Sequence, residues 1–257
     1  MIALVSTAAL CTALGFAIAN APGWPALHRQ FFNGHRYAAD FPDIAAAFLL
    51  NVKMFAIAEA VILPFALVLA ILRGLPGPVF FPLLFLATIY ADIFRAVPGV
   101  LVIYILGFGI PGLGLPGIPT DRFLYAVIAL TLIYSAYVSE VYRAGIESVH
   151  PSQEAAARSL GLSRLQALRY VILPQAVRRV IPPLLNDFIG LQKDTVLVSY
   201  IGVVEIFRQS QITQQAKFNY TPYMATALVF IAVTIPLARL TDILVSRDRR
   251  RAAASAR

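Results

Sequence analysis

Six charged side chains stand where the surrounding sequence is almost wholly apolar: Glu59, Arg95, Asp187, Lys193, Asp194 and Arg239. Charges are expensive in lipid, so such residues face a protein interior or a water-filled path. The chemistry they offer is recognition of charge. Asn186, Gly190 and Lys193 follow the spacing i, i+4, i+7, so a helix puts them on one face, with Asp187 and Asp194 beside it. Amide, ammonium and carboxylates along one stripe suit a zwitterionic ligand. The competing reading is that Lys193 and Asp194 neutralise one another across a subunit interface. Glu59 has Arg95 as its simplest partner; unpaired, it would hold a cationic group. Arg239 and Asp242, three apart, read as a pair on one helix face, and Glu140 as a partner of Arg143. Bond-breaking chemistry finds no support. There is no serine–histidine–acid or cysteine–histidine arrangement, Cys11 is the single cysteine, and His28, His35 and His150 lack metal-ligand spacing. A G-x-x-x-x-G-K-[ST] phosphate loop is also missing. We therefore expect no catalytic residue, no metal and no cofactor bound by this chain.

The elements that must position these side chains are membrane-spanning helices. Of 257 residues, 59% are hydrophobic and 13% charged, and the mean hydropathy is +0.75. A soluble globule cannot hide so much apolar surface. Disorder, a coiled coil and a disulfide scaffold are excluded on the same numbers. Six apolar runs are expected to span: Ile2–Ala21, Met54–Leu72, Val79–Ile110 with a kink at Pro98-Gly99, Phe123–Val141, Val180–Ile206 and Tyr223–Val245. Pro22 to Asp43 reads as a polar loop. Ala19-Asn20-Ala21 resembles a signal-peptidase site, but the basic segment that normally precedes one is missing, which favours a retained span. Six spans put both termini on one side, together with twelve of the 21 basic residues. The positive-inside rule makes that side cytoplasmic. The net charge of +8 is thus topology and a lipid-facing anchor, with no call for nucleic acid. The expected division is 1–42, an N-terminal span and outer (periplasmic) loop; 43–246, the transmembrane domain; and 247–257, a basic cytoplasmic tail.

Between the fourth and fifth spans, Arg143–Arg179 carries six arginines and faces water. Pro151-Ser152 reads as a helix start with Ser152 as N-cap, and Glu154 lies in the first turn. Ala155, Ala156 and Ala157 are strong helix formers of minimal bulk. Gly161 is placed as a C-cap, and Ser163 with Gln166 forms a capping box that opens a second helix. That helix is expected to end at Leu173-Pro174. The product is two short helices outside the membrane, joined at a glycine, with a small-residue face that lets a partner approach closely.

The stretch from Gln153 to Thr195, QEAAARSLGLSRLQALRYVILPQAVRRVIPPLLNDFIGLQKDT, resembles the cytoplasmic signature of ABC importer permeases: E-A-A, three residues, glycine, nine residues, an aliphatic residue, any residue, Leu-Pro. Gly161, Val171 and Leu173-Pro174 fit that spacing. Tyr90–Pro98, Ala136–Gly145 and the run from Leu173 to Glu205 resemble the polar amino acid branch, the histidine, glutamine, arginine and opine permeases. The resemblance covers about Asn51 to Ile206. It implies an all-α polytopic membrane fold of about six transmembrane helices, with a coupling helix between spans four and five. It implies a non-catalytic permease subunit of an ATP-driven importer in the bacterial inner membrane. The implied partners are an ABC ATPase dimer that carries ATP and Mg, a second permease subunit, identical or not, and a periplasmic or extracellular substrate-binding protein. Glu154, Ala155, Ala156, Ala157, Gly161, Leu173 and Pro174 would contact the ATPase. Glu59, Arg95, Asn186, Asp187, Lys193 and Asp194 are the candidates for the substrate path. Two departures stand out: the signature glutamate falls one place early, at Glu154, and Arg95-Ala-Val-Pro98-Gly99 replaces Arg-Gly-Xaa-Pro-Leu. An ion-coupled secondary amino acid transporter, with Glu59 or Asp194 as proton site, is the competing function; a stand-alone carrier has no use for the loop.

Overall fold

The computed structural model describes residues 2–75 and 77–255, and among them every regular element is helical. The α-helices of four or more residues are, in chain order, α1 (Ile2–Ala19), α2 (Trp24–Phe31), α3 (Gly34–Arg73), α4 (Phe81–Ala96), α5 (Gly99–Tyr104), α6 (Arg122–Glu147), α7 (Pro151–Ser159), α8 (Arg164–Ala167), α9 (Leu173–Asp194), α10 (Ile206–Lys217) and α11 (Thr221–Ser255). Trp24–Arg73, Pro78–Ala96, Arg122–Glu147 and Thr221–Ser246 are long and apolar enough to cross a membrane, and Leu4–Ala19 and Gly99–Gly112 are shorter apolar helices. The side chains of 247–257, and with them the expected basic tail, lie outside the described residues.

The central helix is α6. Apolar residues cover most of its circumference, and Tyr125, Ala126, Ala129, Leu130, Ile133 and Ala136 are buried. A helix that is apolar all round must be surrounded. Across from it, α3 offers Met54, Ala58, Ile62 and Ala66, none of them exposed. Small residues in both helices allow the backbones to approach closely, which is how helices gain packing energy where lipid supplies no hydrophobic drive. Val102 and Ile103 of α5, Leu191 of α9, and Val198, Ile201 and Val203 complete this core. A second, smaller core of Ile44, Ile206 and Ala225 joins α3, α10 and α11.

Several expected boundaries are corrected. The segment from Pro22 to Asp43 contains α2 and the first turns of α3, whose N-cap Asn33 accepts from the Arg36 N–H. The third run is divided: Val97 is extended (φ −81°, ψ 128°), and Pro98 is the N-cap of α5. Proline cannot donate an N–H inside a helix, so the chain restarts there, as the kink expectation requires. The expected fifth span, Val180–Ile206, is not one continuous helix: α9 runs from Leu173 to Asp194, and among the described residues it is not one of the helices long and apolar enough to cross a membrane. Leu173-Pro174 does not end the preceding helix. A π-turn at Leu168–Ile172 runs directly into α9: the Leu173 N–H donates to the Leu168 carbonyl, and Pro174 stands in the first turn of α9, where proline is tolerated. Beyond Asp194 the chain tightens into a 3-10 turn, Thr195–Ile201, and leaves it through Gly202 at φ +84°. Finally, Ser152 is not the N-cap of α7. His150 is, and its Nδ1 accepts the Ser152 N–H at 3.2 Å.

Candidate functional site: a presented loop and an acidic path

The loop from Pro151 to Ala167 is built by its caps. Gly161 sits at φ +87° just after the last turn of α7. Its N–H donates to the Arg158 carbonyl at 3.0 Å, and the Leu162 N–H to Ala157 at 3.3 Å. This crossed pair is the Schellman motif, and glycine supplies its left-handed residue without steric cost. Two residues on, Ser163 Oγ accepts the Gln166 N–H and Gln166 Oε1 accepts the Ser163 N–H, at 3.3 and 2.9 Å. Ala157 and Ala167 are buried beneath, while Ala155, Ala156, Leu160, Leu165 and Tyr170 are exposed. Glu154 is 38% exposed and lies 3.9 Å from Arg164. Gln175 of α9 reaches back to Gln153 at 3.4 Å. Leu173 and Pro174, both exposed, lie at the start of α9.

Glu140 fastens the helices just before this loop. Its carboxylate accepts from Arg73 at the end of α3 and from Arg143 (2.8 Å), which also holds Glu147 at 2.6 Å, and it forms an ion pair with Arg95 at the end of α4 at 3.2 Å. Arg95 is therefore not the partner of Glu59; it belongs to this cluster. Arg239 and Asp242 are paired at 3.5 Å on an exposed face. Close by, α6 and α9 touch at Gly145, where a Cβ would collide with the Val180 side chain.

Deeper in the bundle, Phe55 and Phe188 meet edge to face at 4.4 Å and bring α3 against α9. One turn beyond Phe55, Glu59 is half-buried and within electrostatic reach of Asp187. Asp187 Oδ2 is buried without a hydrogen-bond partner. From α6, the Tyr134 hydroxyl donates to Asp194 at 2.8 Å and feels Asp187 as well. The same hydroxyl would lie 3.2 Å from a Cβ at Gly190. Asp187 and Asp194 of α9 thus lie beside Tyr134, and Glu59 of α3 joins them through Asp187; among the described residues none of the three is in an ion pair. Asn186 faces elsewhere: with Pro182 it lines a cavity of about 350 Å³ against Thr241, Asp242, Val245 and Ser246 of α11. Lys193 is exposed. The expected stripe is therefore divided between two surroundings.

Spacing gave no hint of the buried polar knot at the far end of α9. Glu205, fully buried, caps α10 by accepting the N–H groups of Phe207 and Arg208, each at 2.9 Å. Asn51 Nδ2 donates to Glu205 at 2.9 Å and to Thr195 Oγ1 at 3.0 Å, and Asn51 Oδ1 accepts the Ile206 N–H. The one legible signal was Glu205 directly before a helical run; Asn51 lies 154 residues away from it.

A membrane-embedded helical bundle with charges inside it and a rigid two-helix loop outside defines a transport subunit that works with another protein. The family model described as "Binding-protein-dependent transport system inner membrane component" matches residues 43–250, and the chain belongs to that family: it is a transmembrane permease subunit of an ABC transporter. Such subunits work with ATPase and substrate-binding partners. The probable amino-acid permease protein YxeN of Bacillus subtilis (strain 168) is 33% identical over 79% of this chain and 90% of its own length. The probable glutamine ABC transporter permease protein GlnM of the same organism is 37% identical over 62% and 73%. A crystal structure of an amino acid ABC transporter with histidines superposes with a TM-score of 0.74 at 31% identity, covering 84% of this chain and 98% of that one. The family and these relatives do not favour an ion-coupled stand-alone carrier.

Proposed function

We propose that this chain forms the translocation path of an ATP-driven importer of polar amino acids, with preference for a cationic group. The observation that carries the preference is the acidic group in which Glu59 neighbours Asp187 and Tyr134 neighbours Asp187 and Asp194, with no ion-pair partner for any of the three carboxylates among the described residues. Uncompensated carboxylates inside a membrane protein favour an ammonium or guanidinium ligand. The names of the relatives, which include glutamine and arginine permeases, support the polar amino acid class. The chain catalyses no covalent step. ATP and Mg bind the partner ATPase dimer, which docks on the loop through Glu154, Ala155, Ala156, Ala157 and Gly161, with Leu173 and Pro174 at its base. The loop, both termini and the 247–257 tail lie in the cytoplasm, and the protein resides in the bacterial inner membrane beside a second permease subunit. Transport is then a shift between inward- and outward-open arrangements, driven by the different affinity of the ATPase dimer for each.

The test is reconstitution in liposomes with an ATPase subunit and a binding protein, scanning labelled amino acids. ATP-dependent uptake, with lysine, arginine or histidine ahead of neutral amino acids, is expected. Uptake driven by a proton gradient without ATP would overturn it.

A further inference from the structure

On the side of the bundle away from the loop, Phe108, Arg122, Ser199, Tyr200, Gly202 and Arg208 surround a cavity of about 260 Å³. Arg122 opens α6, Arg208 lies in the first turn of α10, and Ser199 and Gly202 belong to the turn that follows α9. The guanidinium of Arg122 lies over Gly202, with Nη1 2.5 Å from where a Cβ would stand. Any side chain at residue 202 would displace it, and Gly202 itself holds φ +84°. Arg208 Nη1 donates to Gln211 at 3.0 Å, which fixes the second guanidinium. Ser199 is 4% exposed, and its Oγ is buried without a hydrogen-bond partner. Among the described residues the ion pairs are those of Arg73, Arg95, Arg143, Arg164, Lys217 and Arg239; Arg122 and Arg208 take part in none. The helix dipole of α10 is already answered by Glu205, so the cavity's positive charge comes from the two side chains.

We propose that this cavity is a carboxylate-binding site at the outer mouth of the path. Two guanidiniums without acidic partners match the two oxygens of a carboxylate, and Arg does so with a rigid fork. No acidic side chain lines the cavity, so the rest of the ligand faces the opening. The site also borders the path. Four residues before Ser199, Thr195 is bonded to Asn51, and Asp194 precedes it. Occupancy of the cavity therefore bears on the turn that holds the end of α9. The carboxylate comes from one of two sources: the α-carboxylate of a free amino acid, or an Asp or Glu side chain of the substrate-binding protein. This inference rests on the importer reading only for which side is outer and which proteins are present.

The experiment uses the complete transporter in nanodiscs, wild type against Arg122→Gln and Arg208→Gln, with Arg208→Lys as the charge-conserving control. One arm measures equilibrium binding of labelled lysine and glutamate without binding protein. The other measures the affinity of the loaded binding protein by surface plasmon resonance. A loss of about tenfold in one arm for both glutamine variants, softened in Arg208→Lys, supports the site and names the source. Unchanged affinity in both arms overturns it, and so does a loss that is accompanied by a lowered melting temperature and absent from the better-folded of the two variants. Wild-type uptake with ATP is measured alongside; if it fails, the importer reading falls, while the binding arms still report on the cavity.

Discussion

Gly145 of α6 and Val180 of α9 pack so closely that a Cβ on the glycine would overlap the valine, with the Ala176 carbonyl also 3.5 Å away. This crossing lies between Glu140 and the presented loop, so it sets how the loop's two supporting helices move together. Gly145→Val is expected to force α6 and α9 apart and to cost about 1–3 kcal/mol through overpacking. Val180→Ala in the same chain should recover much of that loss. Melting temperatures of the two single variants and the double variant check this; strict additivity would show that the contact is not the cause.

Glu59 has no cation beside it, since Arg95 is held by Glu140. Glu59→Gln keeps the shape and removes the charge. Uptake of cationic amino acids should fall at least about tenfold, the loss of one charge-assisted contact, with neutral ones much less affected. Equal losses in a competition uptake assay would remove Glu59 from substrate recognition.

Gly161 has open space around it, with no atom within 4 Å of a built Cβ, yet its φ of +87° penalises any side chain. Gly161→Trp should therefore disturb the Schellman turn and the docking surface together, uncoupling ATP hydrolysis from transport. Glu154→Ala should do less, because Glu154 has only a 3.9 Å ion pair with exposed Arg164. The ratio of ATP hydrolysed to amino acid imported reads this directly, and a normal ratio in Gly161→Trp would sink the docking role of the turn.

Asn51 satisfies three buried partners at once: Glu205, Thr195 and the Ile206 N–H. Asn51→Leu leaves them without it in a buried place. A loss on the order of 1–3 kcal/mol is expected, larger than for Asn51→Asp if the latter enters protonated. Thermal melting at two pH values separates the cases: both variants should lose stability as pH rises and buried Glu205 ionises without its amide donor, and Asn51→Asp should do so more steeply because a second carboxylate ionises beside it.

Much of the loop was readable because its signals are local. Ser163 with Gln166 and Gly161 after the alanine run act within a few residues, and the structure forms both caps. His150 took the cap assigned to Ser152 because an imidazole nitrogen accepts an N–H as a hydroxyl does. The pairing of Glu140 with Arg143 was legible for the same reason; Arg73 and Arg95 were not, since they arrive from other helices.

By itself the sequence determined a helical membrane protein, the break at Pro98, the charged positions inside the apolar runs and the rigid loop. Hydropathy, proline and capping chemistry act over a turn or two of chain, and one strand of letters contains them. Which charges meet was decided only by the tertiary structure. It gave Arg95 to Glu140, Tyr134 to Asp194 and Asn51 to Glu205, and it left Glu59 and Asp187 facing one another. The physical reason is that periodicity fixes the face a residue occupies on its own helix, whereas the partner depends on rotation and crossing of two helices. Here those are set by close approaches such as Gly145 on Val180 and Gly190 beneath Tyr134.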